Sequence, residues 1–183
     1  PGSGTLTNYG RVIIESFTDL INNGTIENFN SFLTNQRPFQ NNGTFINNET
    51  LLILPAATFT NSGTLTNNKQ LTNNGTISNS SIFTNSTLSL FDVPSGQQFI
   101  NSGTFSNLGT FNLNGGFTNT NIFSNQGIFD LNGSYEINTA VATLPTGTFN
   151  WVGKVIIGIA STMTVNSEIL TPFKRLSVNG TLN

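Results

Sequence analysis

Eight carboxylates, Glu15, Asp19, Glu27, Glu49, Asp92, Asp130, Glu136 and Glu168, are the side chains of this sequence best suited to acid–base work, because it contains neither His nor Cys. That absence removes imidazole proton transfer, thiolate nucleophiles, disulfides and the usual zinc ligands together. Glycoside hydrolysis by paired carboxyls needs two of them within about 5 to 10 Å. Only Glu15 and Asp19 are close in sequence, and the register derived below puts no two acids on one face. The nonapeptide calcium repeat is missing, and Gly115-Gly116 precedes neither a Lys nor a helix, so it reads as a chain corner rather than a phosphate loop. The expectation is a chain without catalysis, cofactor or metal.

Six Lys and Arg stand against eight Asp and Glu, a formal net charge of −2 in 183 residues. No basic patch can neutralise a run of phosphates, so nucleic acid is not an expected partner. No apolar run reaches the ~20 residues of a membrane span, so membrane insertion is not expected either. Pro1, Gly2 and Ser3 read as the remnant of a cleaved affinity tag, and residues 4–183 as one domain excerpted from a longer repetitive protein.

What the sequence has in abundance is a repeat. From Phe99 it falls into the hexapeptides FINSGT, FSNLGT, FNLNGG, FTNTNI, FSNQGI and FDLNGS, followed by Tyr135. An earlier block runs FTNSGT from Phe59, LTNNKQ, LTNNGT and ISNSSI. The interruptions are themselves regular, and grouping by threes gives coils that start at Leu20, Phe39, Phe59, Ile77, Phe99, Phe117 and Tyr135. A strand alternates faces with period two, so an apolar residue between two Thr, as in Thr64-Leu65-Thr66, points inward while its neighbours face solvent. Asn with a nearby Gly supplies the positive-φ residues of a tight corner.

Three such sides close a triangle. The predicted fold is therefore all-β, a single-stranded triangular parallel β-helix (β-solenoid) with three short strands per coil of about 18 to 20 residues. Extra residues are expected at corners, the longest as a surface loop around Asp92–Gln98. The sixteen Phe are expected in the core, with Phe59, Phe99 and Phe117 in one column and Phe45, Phe83, Phe105 and Phe123 in another. Lys69 and Glu49 are expected at outward corners. Regular hexapeptides run to about residue 135. Over 136–183 the coils are expected to be less regular, with longer strands around Thr148–Ala160 because β-branched residues concentrate there.

The run apolar-x-Asn-x-Gly-x-apolar, as in Leu20-Ile-Asn-Asn-Gly-Thr-Ile26 and Phe99-Ile-Asn-Ser-Gly-Thr-Phe105, resembles the repeats of filamentous-haemagglutinin-like surface exoproteins. The resemblance covers most of Leu6 to Tyr135. It implies a right-handed helix in preference to a left-handed one, an extracellular or cell-surface location, and a structural or adhesive role. The strict spacing of six is also similar to the left-handed hexapeptide helix of acyltransferases, whose catalytic His has no counterpart here.

In this register the second strand of each coil carries outward pairs: Thr5/Thr7, Thr25/Glu27, Thr44/Ile46, Thr64/Thr66, Ile82/Thr84, Thr104/Ser106 and Ile122/Ser124. The array Thr5, Thr7, Thr25, Thr44, Thr64, Thr66, Thr84, Thr104 and Ser106 is the candidate binding surface. It resembles the Thr-x-Thr ladders of insect ice-binding solenoids; the plainer expectation is that Thr simply suits a solvent-facing strand. Asn-x-Ser/Thr triplets at Asn23, Asn42, Asn48, Asn74, Asn79, Asn85, Asn132 and Asn179 follow from composition and from corner chemistry. The functional expectation is a surface adhesin or scaffold segment. Its expected partners are glycans, host or neighbouring cell-surface components, and adjoining repeats of the same protein. An ice-binding solenoid is the alternative, and a polysaccharide-acting β-helix enzyme ranks third.

Overall fold

The computed structural model describes residues 4–14, 19–34, 38–137, 141–144, 148–151, 154–157, 162–165, 175–178 and 181–182. Within these, twenty-seven short strands fall into three parallel sheets, and no helix is present. Sheet 1 has ten strands, from Thr5–Asn8 to Thr181–Leu182. Sheet 2 has eight, from Val12–Ile14 to Thr148–Trp151, and sheet 3 has nine, from Leu20–Asn22 to Arg175–Val178. From Thr5 to Val165 the chain visits the sheets in turn, so each strand pairs with the one a coil away, as Leu65 does with Phe83 and Leu71 with Phe91. The fold is the predicted triangular β-solenoid.

Most strands are four residues long and alternate half-exposed with buried, as in Thr64–Asn67 and Thr104–Asn107. Their second residue forms the core. Phe39, Phe59, Ile77, Phe99, Phe117 and Tyr135 make the sheet 3 column, and Phe45, Leu65, Phe83, Phe105 and Phe123 the sheet 1 column. Both are the expected columns, and every member is buried; Phe29, exposed and stacked on Tyr9, is not in the core as expected. From Phe83 onward, rings within a column stack at the coil repeat, Phe105 on Phe123 at 5.1 Å and 8° and Phe111 on Phe129 at 5.0 Å and 5°, whereas Phe39 and Phe59 meet edge-on. Between columns they meet edge-on, as Phe105 and Phe111 do at 5.2 Å and 89°. Burying one such ring contributes about 1.5 to 3 kcal/mol, and favourable ring pairs add about 0.5 to 1.5 each.

The fourth strand residue is where the structure corrects the sequence reading. Asn at this place is not a positive-φ corner residue; it ends the strand, buried and pointing inward. In sheet 1, Asn8, Asn28, Asn47, Asn67, Asn85, Asn107 and Asn125 form a continuous ladder, each Nδ2 donating to the next Oδ1 at 2.6 to 2.8 Å. In sheet 3, Asn22, Asn41, Asn61, Asn79, Asn101 and Asn119 form a second, at 2.7 Å throughout. The second amide hydrogen satisfies corner carbonyls; Asn107, for example, also donates to Gly109 O and Ile128 O. An amide side chain is the right part here, since it donates upward and accepts from below in one plane. The end of the sheet 2 strands is instead aliphatic, with Ile53, Val93, Leu113 and Leu131 buried and Asn73 the one amide among them.

Corner glycines also have a different cause from the expected one. Among the described glycines only Gly96 has positive φ, at 82°. Gly4 and Gly10 stand in open space, and the remaining glycines are constrained by closeness: a Cβ on Gly63 would strike the carbonyl oxygen of Gly43, and one on Gly127 that of Gly109. Positive φ occurs instead in longer corners, at Ala56 and Leu88, both 65°. These corners are four-residue turns, Leu54–Ala57, Ser86–Ser89 and Pro94–Gln97, each closed by a bond from the last N–H to the first carbonyl at 3.0 or 3.1 Å. Positive φ at the third residue marks them as type II turns. The loop expected over Asp92–Gln98 thus shrinks to four residues, because Asp92 and Gln98 belong to strands.

Strands in the β-branched stretch are not longer: Thr148–Trp151 and Lys154–Ile157 have four residues each and pair with Ile128–Leu131 and Ser134–Ile137. The length of a triangle side, not local propensity, sets where a strand ends. Glu49 and Lys69 do lie outward, at one corner in adjacent coils, and form an exposed ion pair of 2.6 Å, worth little in stability.

Candidate binding surface

Sheet 1 presents the outward pairs in the expected order. Thr5 pairs with Thr25, Thr25 with Thr44, Thr44 with Thr64, Thr64 with Ile82, Ile82 with Thr104 and Thr104 with Ile122. The parallel column is Thr7, Glu27, Ile46, Thr66, Thr84, Ser106 and Ser124. Thr5 and Thr7 are exposed, and Thr25, Thr44, Thr64, Thr66, Thr84, Thr104 and Ser106 are half-buried by their neighbours in the columns. Rows repeat at the ~4.8 Å strand spacing. Glu27 is the one charged residue in the ten strands of this sheet.

Sequence reasoning found this array but not the hydroxyls of sheet 3, where Thr58 and Thr60 pair with Thr76 and Ser78. A period-two reading of Thr58-Phe59-Thr60 carries the same signal. It also missed an acidic column on sheet 2. Asp92 pairs with Asn112, and Asn112 with Asp130, so two acids do share one face, two coils or roughly 9.6 Å apart. The clue was present in FNLNGG and FDLNGS, where Asn112 and Asp130 hold the same hexapeptide position. Burial among its neighbours raises the Asp92 carboxyl above its ordinary pKa. Of the remaining acids, Glu136 lies outward on sheet 3 above Thr118 and Asp19 is exposed, while Glu15 and Glu168 lie outside the described residues. Among the described residues no three His, Cys, Asp or Glu side chains gather as a metal site would require.

The glycosylation triplets divide by burial. Asn79 and Asn85 are ladder members with no exposed surface to speak of, Asn23, Asn42 and Asn132 are exposed at corners, and Asn48 and Asn74 are half-buried. Asn179 lies outside the described residues. Exposed corner side chains continue the ladder motif on the outside: Asn42 donates to Asn23 at 2.9 Å, Asn68 to Asn48 at 2.8 Å, and Ser86 to Asn68 at 2.7 Å.

One buried polar atom is out of place. The Tyr135 hydroxyl lies in the Phe column with no hydrogen bond of sound geometry. Burial pushes its pKa well above the ordinary phenol value, with the nearby Asn119 amide partly opposing the shift. Asn119 is where the sheet 3 ladder stops, because Ile137 follows it in register. Tyr therefore replaces Phe in the coil where the ladder loses its amide. Comparison of the chain with family models, curated proteins and solved structures gives no match.

Proposed function

We propose that this solenoid is a non-catalytic structural and adhesive segment of the cell surface or extracellular space, meeting its partners through flat, hydroxyl-rich sheet faces. The observation that carries the reading is the pairing of two features. Asn ladders unbroken from Asn8 to Asn125 and from Asn22 to Asn119, with a stacked aromatic core, hold these coils in one register. The sheet 1 face they hold carries Glu27 as its one charge, and its Thr, Ser and Ile side chains act only at contact distance. Long-range steering is weak on such a surface, so affinity must come from many short hydrogen bonds and apolar contacts to an extended, repetitive partner. Surface glycans and neighbouring solenoids have that character.

The test is binding of the purified chain to a panel of surface polysaccharides at low and high salt. Retention that persists in high salt and is lost in a Thr64→Lys/Thr66→Lys variant supports the reading. Cleavage of any bound polysaccharide defeats it. The in-register Thr columns of sheet 1 favour ice as a second reading. Thermal hysteresis that disappears when Thr64 and Thr66 are replaced by bulky residues would select it, and Glu27, Ile82 and Ile122 within the array weigh against it.

A further inference from the structure

We propose that sheet 1 is a self-association face, on which two copies of the chain lie side by side and parallel about a two-fold axis along the solenoid. Among the described residues, and leaving aside Leu6, Tyr9, Ile13, Ile21 and Phe29 of the first two coils, the exposed large apolar residues are Ile82, Leu88, Ile100, Leu108, Ile122 and Ile128, which fall within three consecutive coils. They frame sheet 1. Ile82 and Ile122 stand at one edge, each 49% exposed, with Thr104 between them in the column and Ile100 just around the corner. Leu88 and Leu108 occupy the opposite corner in adjacent coils, where Leu108 N–H bonds to Asn85 O. Leu88 is 97% exposed and is held at φ 65°. A strained backbone that presents a large apolar side chain to solvent is a reason to look for what covers it.

The rows identify the occupant. Two parallel copies related by that axis place the first outward residue of each strand against the second outward residue of the same strand in the copy. Ile82 then meets Thr84, Ile122 meets Ser124, Ile46 meets Thr44, and Glu27 meets Thr25 rather than another Glu27. Every bulky residue faces a small hydroxyl residue, and no two charges are opposed. Leu88 arrives at the edge that carries Ile82 in the copy. Sheet 2 fails the same operation, since Leu90 would face Asp92 and Ile128 would face Asp130. Ten strands about 4.8 Å apart and a side about 16 Å wide give roughly 700 Å² per copy, or about 1,400 Å² in total, which is enough for a specific dimer. This proposal does not rest on the glycan-binding reading but competes with it for the same face, because a dimer buries Thr64 and Thr66; oligomeric state and polysaccharide retention are read separately.

The experiment is sedimentation equilibrium of the chain from about 5 to about 500 μM, where a dimerisation constant shows as a concentration-dependent mass. The expected result is a dimer weakened at least about tenfold by Ile82→Lys/Ile122→Lys, each Lys being buried against hydroxyls. Leu88→Gly, which relaxes its turn and so does not threaten folding, should weaken it as well. Thr72→Lys, on sheet 2, should leave it unchanged. A chain that stays monomeric throughout overturns the proposal, and so does a dimer indifferent to both sheet 1 variants or equally sensitive to Thr72→Lys. A monomer showing thermal hysteresis would assign the face to ice instead.

Discussion

Asn107 donates its side-chain amide to Oδ1 of Asn125, one coil along the axis, at 2.6 Å, and accepts the same bond from Asn85 at 2.7 Å. Removing it leaves a buried carbonyl oxygen and a buried N–H facing a void, each costing about 1 to 3 kcal/mol when unsatisfied. Asn107→Ala should therefore lower stability by about 3 kcal/mol or more in urea unfolding. Asn114→Ala, at an exposed corner position, should change it by no more than about 0.5 kcal/mol. Similar values for the two would mean that the ladder contributes nothing.

Close stacking of corners makes a second prediction. A Cβ at Gly127 collides with the Gly109 carbonyl, whereas one at Gly10 meets nothing within 4 Å. Gly127→Ala should cost about 1 to 3 kcal/mol through backbone displacement, and Gly10→Ala should be near neutral. Thermal melting of the two variants compares them directly.

Leu88 sits in the left-handed region with its side chain in solvent. An L-residue pays about 1 kcal/mol or more for that conformation and Gly does not. Leu88→Gly should raise the melting temperature of the monomer at low concentration. A fall would show that the side chain makes stabilising contacts.

The Asp92 carboxyl has its pKa raised by desolvation. A folded pKa above the unfolded one means the native state is penalised as pH rises through the carboxylate range, and the penalty vanishes once the group is protonated in both states. Asp92→Asn should therefore stabilise the protein at neutral pH, and its advantage should fall away as pH drops through the raised folded pKa and be gone below the ordinary carboxylate value of about 4. An advantage independent of pH would place its cause elsewhere than in the charge.

How much of this was legible in the sequence depends on which physical signal each residue sends. Phe99, Phe105 and Phe111 announce the core because aromatic side chains at a strict spacing of six have few places to go but inward, and Thr64-Leu65-Thr66 announces the outward hydroxyls by alternation. Asn101 and Asn107 did not announce a ladder. Asn is common in turns for its own backbone chemistry, and that habit masked its burial. The counter-signal lay at the same hexapeptide position, where Ile53, Val93, Leu113 and Leu131 replace Asn; a site that accepts Leu is an interior site. Gly127 likewise looked like a turn former because sequence shows residue type and not the carbonyl beneath. Asp92 and Asp130 were hidden by the corner insertions between coils, which shift the count on which a column assignment depends.

The axial amide ladders keep the Thr-bearing rows in one register. Hydrogen exchange of Asn side-chain amides, followed by NMR at neutral pH, tests them most directly. Asn47, Asn61, Asn67, Asn79, Asn85, Asn101 and Asn107, buried within the two ladders, should exchange at least about a thousandfold more slowly than exposed Asn114 and Asn132. Ladder amides that exchange as fast as those at the corners would contradict the account.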